Sequence, residues 1–154
     1  MMKFNLLLTF GVLAAVLSNA RALTKEELET IQKDMLVHVK ACSEKFGVSI
    51  DEIKAAKEKH DIEGMDPCLI GCVFKSTKLV NDEGMYDPDV AIEDSNKYLS
   101  SDDDKAKFKD IANDCAKVND EDVSDGKEGC ERSKLLLGCF AKHKSELMPE
   151  ARRR

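Results

Sequence analysis

Six cysteines constrain this chain more than any other feature, and two of them sit in the most apolar stretch beyond its N-terminal leader. The run Asp66-Pro67-Cys68-Leu69-Ile70-Gly71-Cys72-Val73-Phe74 places two thiols four residues apart. Asp66 is a good N-cap, and Pro67 suits the first helical position, where a missing N–H costs nothing. On a helix, Cys68 and Cys72 share one face, one turn apart. Apolar residues surround them on nearly every side, which predicts a buried helix. Such a helix can be tied to two other parts of the chain, with Cys42, Cys115, Cys130 and Cys139 as candidate partners.

Residues 1–22 read as an export signal peptide. Lys3 supplies the positive start, Leu6 to Leu17 the apolar run, and Ala20-Arg21-Ala22 the small-x-small cleavage pattern. The mature chain is placed from Leu23, with cleavage after Ala20 as second choice. An apolar run of about a dozen residues is too short to span a bilayer, so a signal anchor is the weaker reading. No other segment reaches spanning length, which predicts a secreted, extracellular product with no membrane attachment after cleavage. Residues 23–154 suffice for a single domain with one core, and 148–154 read as a frayed tail. The net charge is −6, and loss of Lys3 and Arg21 with the leader makes it more negative still. That disfavours nucleic acid as a partner and keeps the protein soluble at high concentration. All six cysteines lie in the mature part, and an even number in an exported chain reads as three disulfides.

Helical signals run along the whole mature sequence. Thr24-Lys25-Glu26-Glu27 is a capping box, followed by Leu28, Ile31, Met35, Val39, Cys42 and Phe46 at helical spacing, with Gly47 as the stop. Ser49 to Glu52 is a second capping box, opening a shorter helix with Ile50, Ile53 and Ala56 inward. The central helix is predicted from Pro67 to Val80, followed by a turn at Asn81 to Gly84. Asp87-Pro88 starts a weakly amphipathic helix that ends at Tyr98 or Leu99. Ser101 caps the next, with Asp102, Asp103 and Asp104 set against its positive end and Phe108, Ile111, Ala112 and Cys115 inward. Asp125 with Glu128 opens a last helix through Cys130, Leu135, Leu136, Leu137, Cys139 and Phe140. No strand alternation and no internal repeat is visible. The class is all-α with about six helices.

Helical geometry trims the disulfide possibilities. Cys68 and Cys72 on one regular helix are poorly aligned for bonding each other, and Cys130 and Cys139 lie on opposite sides about 13 Å apart. Ten of the fifteen pairings survive, and each ties the central helix and the last helix to two other places. The spacing Cys42-x25-Cys68-x3-Cys72-x42-Cys115-x14-Cys130-x8-Cys139 is more specific. On a helical, acidic chain with an export leader, it resembles the insect odorant-binding proteins of the six-cysteine class, the pheromone and general odorant-binding family. The resemblance covers residues 23–147, with the Cys115–Cys130 gap somewhat long, which reads as a loop insertion within Val118 to Gly126.

The resemblance implies first-to-third, second-to-fifth and fourth-to-sixth links: Cys42–Cys72, Cys68–Cys130 and Cys115–Cys139, three interlocked disulfides. It also implies a compact six-helix domain around an internal apolar cavity that carries a small hydrophobic ligand. A hollow core forfeits packing contacts, and disulfides offset that loss. Ligand contacts are then expected among the larger inward side chains: Ile31, Met35, Ile53, Leu69 and Phe74, then Leu79, Phe108, Ile111, Leu136 and Phe140. Tyr86 and Tyr98 are able to offer a hydroxyl to a ligand's polar end, Tyr98 being the one placed in the ligand set; the blander reading leaves both wet at the surface. The chain departs from the moth pheromone-binding and general odorant-binding subgroups, having no Trp and only 15 residues after Cys139. A long, pH-switched C-terminal helix is therefore not expected, although Leu147 and Met148 are suited to fold over a cavity mouth.

No chemistry-bearing pattern competes with this reading. His38, His60 and His143 lie in three separate segments, which argues against a metal cluster. The cysteine spacing is not that of a zinc site, and oxidising export disfavours free thiolates. Asp120 to Gly126 fails as a calcium loop, because Val123 and Arg132 would fall at ligating positions. Gly-x-Ser-x-Gly, His-Glu-x-x-His and P-loop sequences are missing. The sequence therefore predicts no catalytic residue, no metal and no cofactor. Its expected partners are a small hydrophobic ligand (odorant, pheromone or lipid-like) and, downstream, an olfactory receptor. The alternative is a secreted, disulfide-stapled helical interaction protein with a filled core.

Overall fold

The computed structural model describes residues 23–61 and 63–147. Residues 1–22, read above as a signal peptide, and the tail from Met148 lie outside the described residues. Six helices of nine residues or more make up the described fold: α1 (Lys25–Phe46), α2 (Ile50–Glu58), α3 (Pro67–Ser76), α4 (Pro88–Tyr98), α5 (Asp102–Cys115) and α6 (Cys130–Lys142). A one-turn helix, α7 (Lys144–Leu147), follows. No strand occurs among the described residues, only one isolated bridge between Val80 and Tyr86.

Helix starts follow from local capping chemistry. Thr24 Oγ1 accepts the Glu27 N–H at 3.1 Å while the Glu27 carboxylate accepts the Thr24 N–H at 2.9 Å. Ser49 and Glu52 repeat this reciprocal pair at α2. Asp66 accepts the Cys68 N–H at 2.8 Å, and Asp87 accepts from Asp89 and Val90. Each pair satisfies amide donors that the first turn leaves without a partner. Gly47, at φ 66°, ends α1 in the left-handed conformation that glycine adopts without a Cβ penalty.

Two boundaries differ from the sequence expectation. α3 ends at Ser76, not Val80. There the Ser76 and Thr77 hydroxyls donate back to the carbonyls of Val73 and Phe74, and Lys78 takes φ 65°. Hydroxyls that bond to nearby carbonyls compete with helix continuation. At the other boundary, Asp125 does not open α6 directly. Residues Gly126–Glu128 form a 3₁₀ turn and Gly129 sits at φ 70°, so α6 begins at Cys130. Asp125 still serves as the cap from a distance, its Oδ2 accepting the N–H groups of Cys130 and Glu131 at 2.7 and 3.1 Å.

The segment read as an insertion is anchored rather than loose. A 3₁₀ stretch Ala116–Asp120 continues from α5, and the guanidinium of Arg132, 6% exposed, donates to the carbonyls of Val118 and Glu121. A fixed fork of donors satisfies backbone acceptors that the irregular segment leaves over.

α3 and α6 form the seam of the fold. A Cβ on Gly71 would lie 3.3 Å from Cys130 Cα, so glycine is what permits this approach. The Cys68–Cys130 disulfide crosses the seam with a Cα–Cα distance of 4.4 Å. Cys42–Cys72 ties α1 to α3, and Cys115–Cys139 ties α5 to α6, both with Cα–Cα distances of 5.8 Å. The solid part of the core gathers around Ile70, Val80, Tyr86, Ala112 and Leu136. Tyr86 is 2% exposed, neither at the surface nor offered to a ligand. Its hydroxyl donates to the Ala112 carbonyl at 3.2 Å, and burial pushes its phenol far above the ordinary range.

Candidate functional site

α1 has 22 residues, yet among them only Cys42 and Ser43 are buried. Its apolar stripe, Leu28, Ile31 and Met35, stays half-exposed because the space beneath it is not filled by protein. That space is a cavity of about 700 Å³, partly open to solvent. α3 and the turn after it contribute Phe74, Thr77 and Leu79; α4 contributes Ala91, Ser95 and Tyr98; α5 contributes Phe108; α6 contributes Leu137 and Phe140. Phe140 stacks on Phe108 with ring centroids 6.1 Å apart and meets the edge of Tyr86 at 6.1 Å, so one aromatic cluster forms both wall and support.

The structure brings Ile31, Met35, Phe74, Leu79, Tyr98, Phe108 and Phe140 together at this cavity. It places Ile53, Leu69, Ile111 and Leu136 elsewhere. Leu69 and Ile111 are 4% exposed and Leu136 is 0% exposed, all packed in the solid core. Leu69 lies five residues before Phe74, about 140° around α3, and so faces away. Ile53 packs on the outer edge of the core from α2, a helix with no buried residue. Leu28, Ala91, Leu99 and Leu137 line the cavity without having been singled out for it, although Leu28 lies on the expected face of α1.

Polar residues, Asp34, His38, Ser76 and Tyr98 among them, also line the cavity. The Tyr98 hydroxyl donates to Asp34 Oδ2 at 2.9 Å, joining α4 to α1. The Ser100 N–H donates to Glu27 Oε1 at 2.8 Å, so one carboxylate caps α1 and clasps the end of α4. The Ser100 hydroxyl, first among several donors, holds Glu27 below the usual carboxylate range. His38 Nδ1 lies 2.9 Å from Ser76 Oγ on the cavity wall. Ser76 Oγ also lies 2.8 Å from the Val73 carbonyl, a second acceptor within reach of its one proton. His60 is exposed, at φ 54°. Cys115, Cys139 and His143 lie close together, but both sulfurs are in a disulfide and offer no thiolate to a metal.

Residues 24–143 match the PBP/GOBP family. The chain belongs to that family. Its fold is similar to that of odorant-binding protein dmelOBP28a from Drosophila melanogaster, with a TM-score of 0.56 at 20% identity, over 78% of this chain and 96% of that one. No curated protein matches the chain. Among the described residues, no helix is long and apolar enough to cross a membrane.

The C-terminal turn of this family member reaches the cavity through Lys144 and Glu146. It is held by His143, whose ring contacts Glu146 Oε1 at 2.8 Å and Asp114 Oδ2 at 3.1 Å. Glu146 first, then Asp114, favour the imidazolium and raise the His143 pKa above its ordinary value. A raised pKa gives stability that is fully present below the unfolded value and is lost as pH rises through the folded one. Asp114, lowered by Lys117 and then His143, loses its share only as pH falls through its depressed value. The turn is thus held best in mildly acid solution. His143→Gln is expected to lower the melting temperature more at about pH 5.5 than at about pH 8.5. An equal penalty at both pH values would remove this role.

Proposed function

We propose that this chain is a secreted carrier that binds small hydrophobic molecules reversibly and moves them through aqueous extracellular fluid, doing no chemistry on them. The observation that carries this reading is the cavity of about 700 Å³ with apolar walls, in a chain of the PBP/GOBP family. Its size falls in the range of about 300–1,000 Å³ occupied by small-molecule sites. Burial supplies the affinity: a ten-carbon chain gains about 8 kcal/mol at about 0.8 kcal/mol per methylene, enough for roughly micromolar binding before ordering is subtracted. Residues 1–22 act as the signal peptide, and the single mature domain runs from Leu23. Odorants and related semiochemicals are the ligand class, and an olfactory receptor is the destination. The contrary reading, an interaction protein without a ligand, requires a filled interior, and the cavity weighs against it.

The test is uptake of Nile red by the oxidised mature protein and its displacement by volatile alcohols, aldehydes and esters; an extrinsic dye is needed because the chain has no Trp. Saturable uptake with graded displacement is expected. A correctly oxidised protein that takes up no dye would defeat the carrier reading.

A further inference from the structure

We propose that the cavity favours ligands whose polar end is a hydrogen-bond-donating cation, an alkyl amine in particular, and that Asp104 receives that end. This rests on the carrier reading and deepens it by naming a head group. Apolar walls set affinity but not head-group chemistry; the few polar groups among them set that. Four acidic residues line the cavity, Asp34, Asp94, Asp104 and Glu146, against the basic residues Lys107 and Lys144 and His38.

Three of the four carboxylates are engaged. Asp34 accepts the Tyr98 hydroxyl at 2.9 Å, Asp94 accepts the Lys97 ammonium at 2.7 Å, and Glu146 holds His143 at 2.8 Å. Asp104 differs in both burial and partners. It is 7% exposed, and among the described residues it makes no salt bridge. The neighbouring Ser101 hydroxyl accepts the Asp104 backbone N–H at 3.3 Å and supports the side chain as well. The exposed Lys107 ammonium offers a longer-range attraction, which Glu27 and Asp103 oppose. The balance leaves the carboxyl above its ordinary range, with desolvation as the leading cause. A carboxylate whose charge burial disfavours gains most from a group that both carries positive charge and donates hydrogen bonds. An alkylammonium does both, an alcohol offers one neutral hydrogen bond, and a carboxylate ligand adds a like charge.

The experiment displaces Nile red from the oxidised mature chain at neutral pH with decylamine, decanol and decanoic acid, which share one chain length. The expected order is amine, then alcohol, then acid, with the amine about tenfold tighter than the alcohol. Asp104→Asn should bring the amine to the level of the alcohol while leaving the alcohol within about twofold. Should that variant not fold, carbon-13 NMR of the wild-type Asp104 carboxyl decides instead: its pKa should fall when decylamine binds and stay put with decanol. Equal displacement by all three ligands overturns the head-group preference and leaves the carrier reading standing. An amine preference that survives Asp104→Asn, or an Asp104 pKa indifferent to the amine, overturns the assignment to this residue. Failure of Nile red to enter at all overturns the carrier reading, and this inference with it.

Discussion

Replacing Cys68 and Cys130 together with serine is expected to lower the melting temperature by about 10–20 °C, the largest shift of any disulfide removal in this protein. The bond closes a loop with a sequence separation of 62, against 30 for Cys42–Cys72 and 24 for Cys115–Cys139. In the chain-entropy model those separations correspond to about 4 kcal/mol for the first and about 3.5 kcal/mol for each of the others. Position adds to length. The bond crosses the seam where Gly71 lets α3 meet Cys130, and residues from both helices line the cavity. A core with a hole in it has fewer contacts to lose before it opens, because atoms facing the hole lack partners on that side. The check is thermal unfolding followed by far-UV circular dichroism, with a thiol assay to confirm that the other two bonds are intact. A shift no larger than that of the Cys115/Cys139 double variant would show that the seam does not depend on its bond.

Where α1 and α2 start was readable in the sequence because capping is a matter between residues three apart. Thr24 with Glu27, and Ser49 with Glu52, need no tertiary information to be recognised. Where α3 stops and α6 begins was not readable in the same way. Those boundaries depend on Lys78 and Gly129 adopting positive φ and on Asp125 reaching across a 3₁₀ turn. The candidate site divides along similar lines. Apolar spacing marks an inward face, and Ile31, Phe74, Phe108 and Phe140 do point inward. Spacing carries no information on whether the volume beyond that face is full, so Leu69, Ile111 and Leu136 look the same in sequence and end in solid core. Asp104 shows the limit most clearly. Beside Asp102 and Asp103 it reads as one more acid at a helix start, and only the packed structure distinguishes the buried carboxyl on the cavity wall from its exposed neighbours.

That distinction between wall and core gives the second large expected effect, a pair of truncations on α6 four residues apart. Leu136→Ala should cost about 3–4 kcal/mol of stability, since the side chain is fully buried and its removal leaves a void in close-packed surroundings. Phe140→Ala should cost somewhat less, about 2–3 kcal/mol, because one side of the ring already faces open space. Ligand affinity should divide the other way. Phe140 stacks on Phe108 and closes one side of the cavity, so losing its ring removes apolar area that a guest would cover and weakens dye binding about tenfold. Leu136 does not itself line the cavity, and its truncation should leave affinity within about twofold wherever the protein remains folded. Urea unfolding and Nile red titration on the same two preparations measure both quantities. If Leu136→Ala weakened binding as much as Phe140→Ala did, the dye would be reporting the general integrity of the fold rather than a guest held against the Phe108–Phe140 wall.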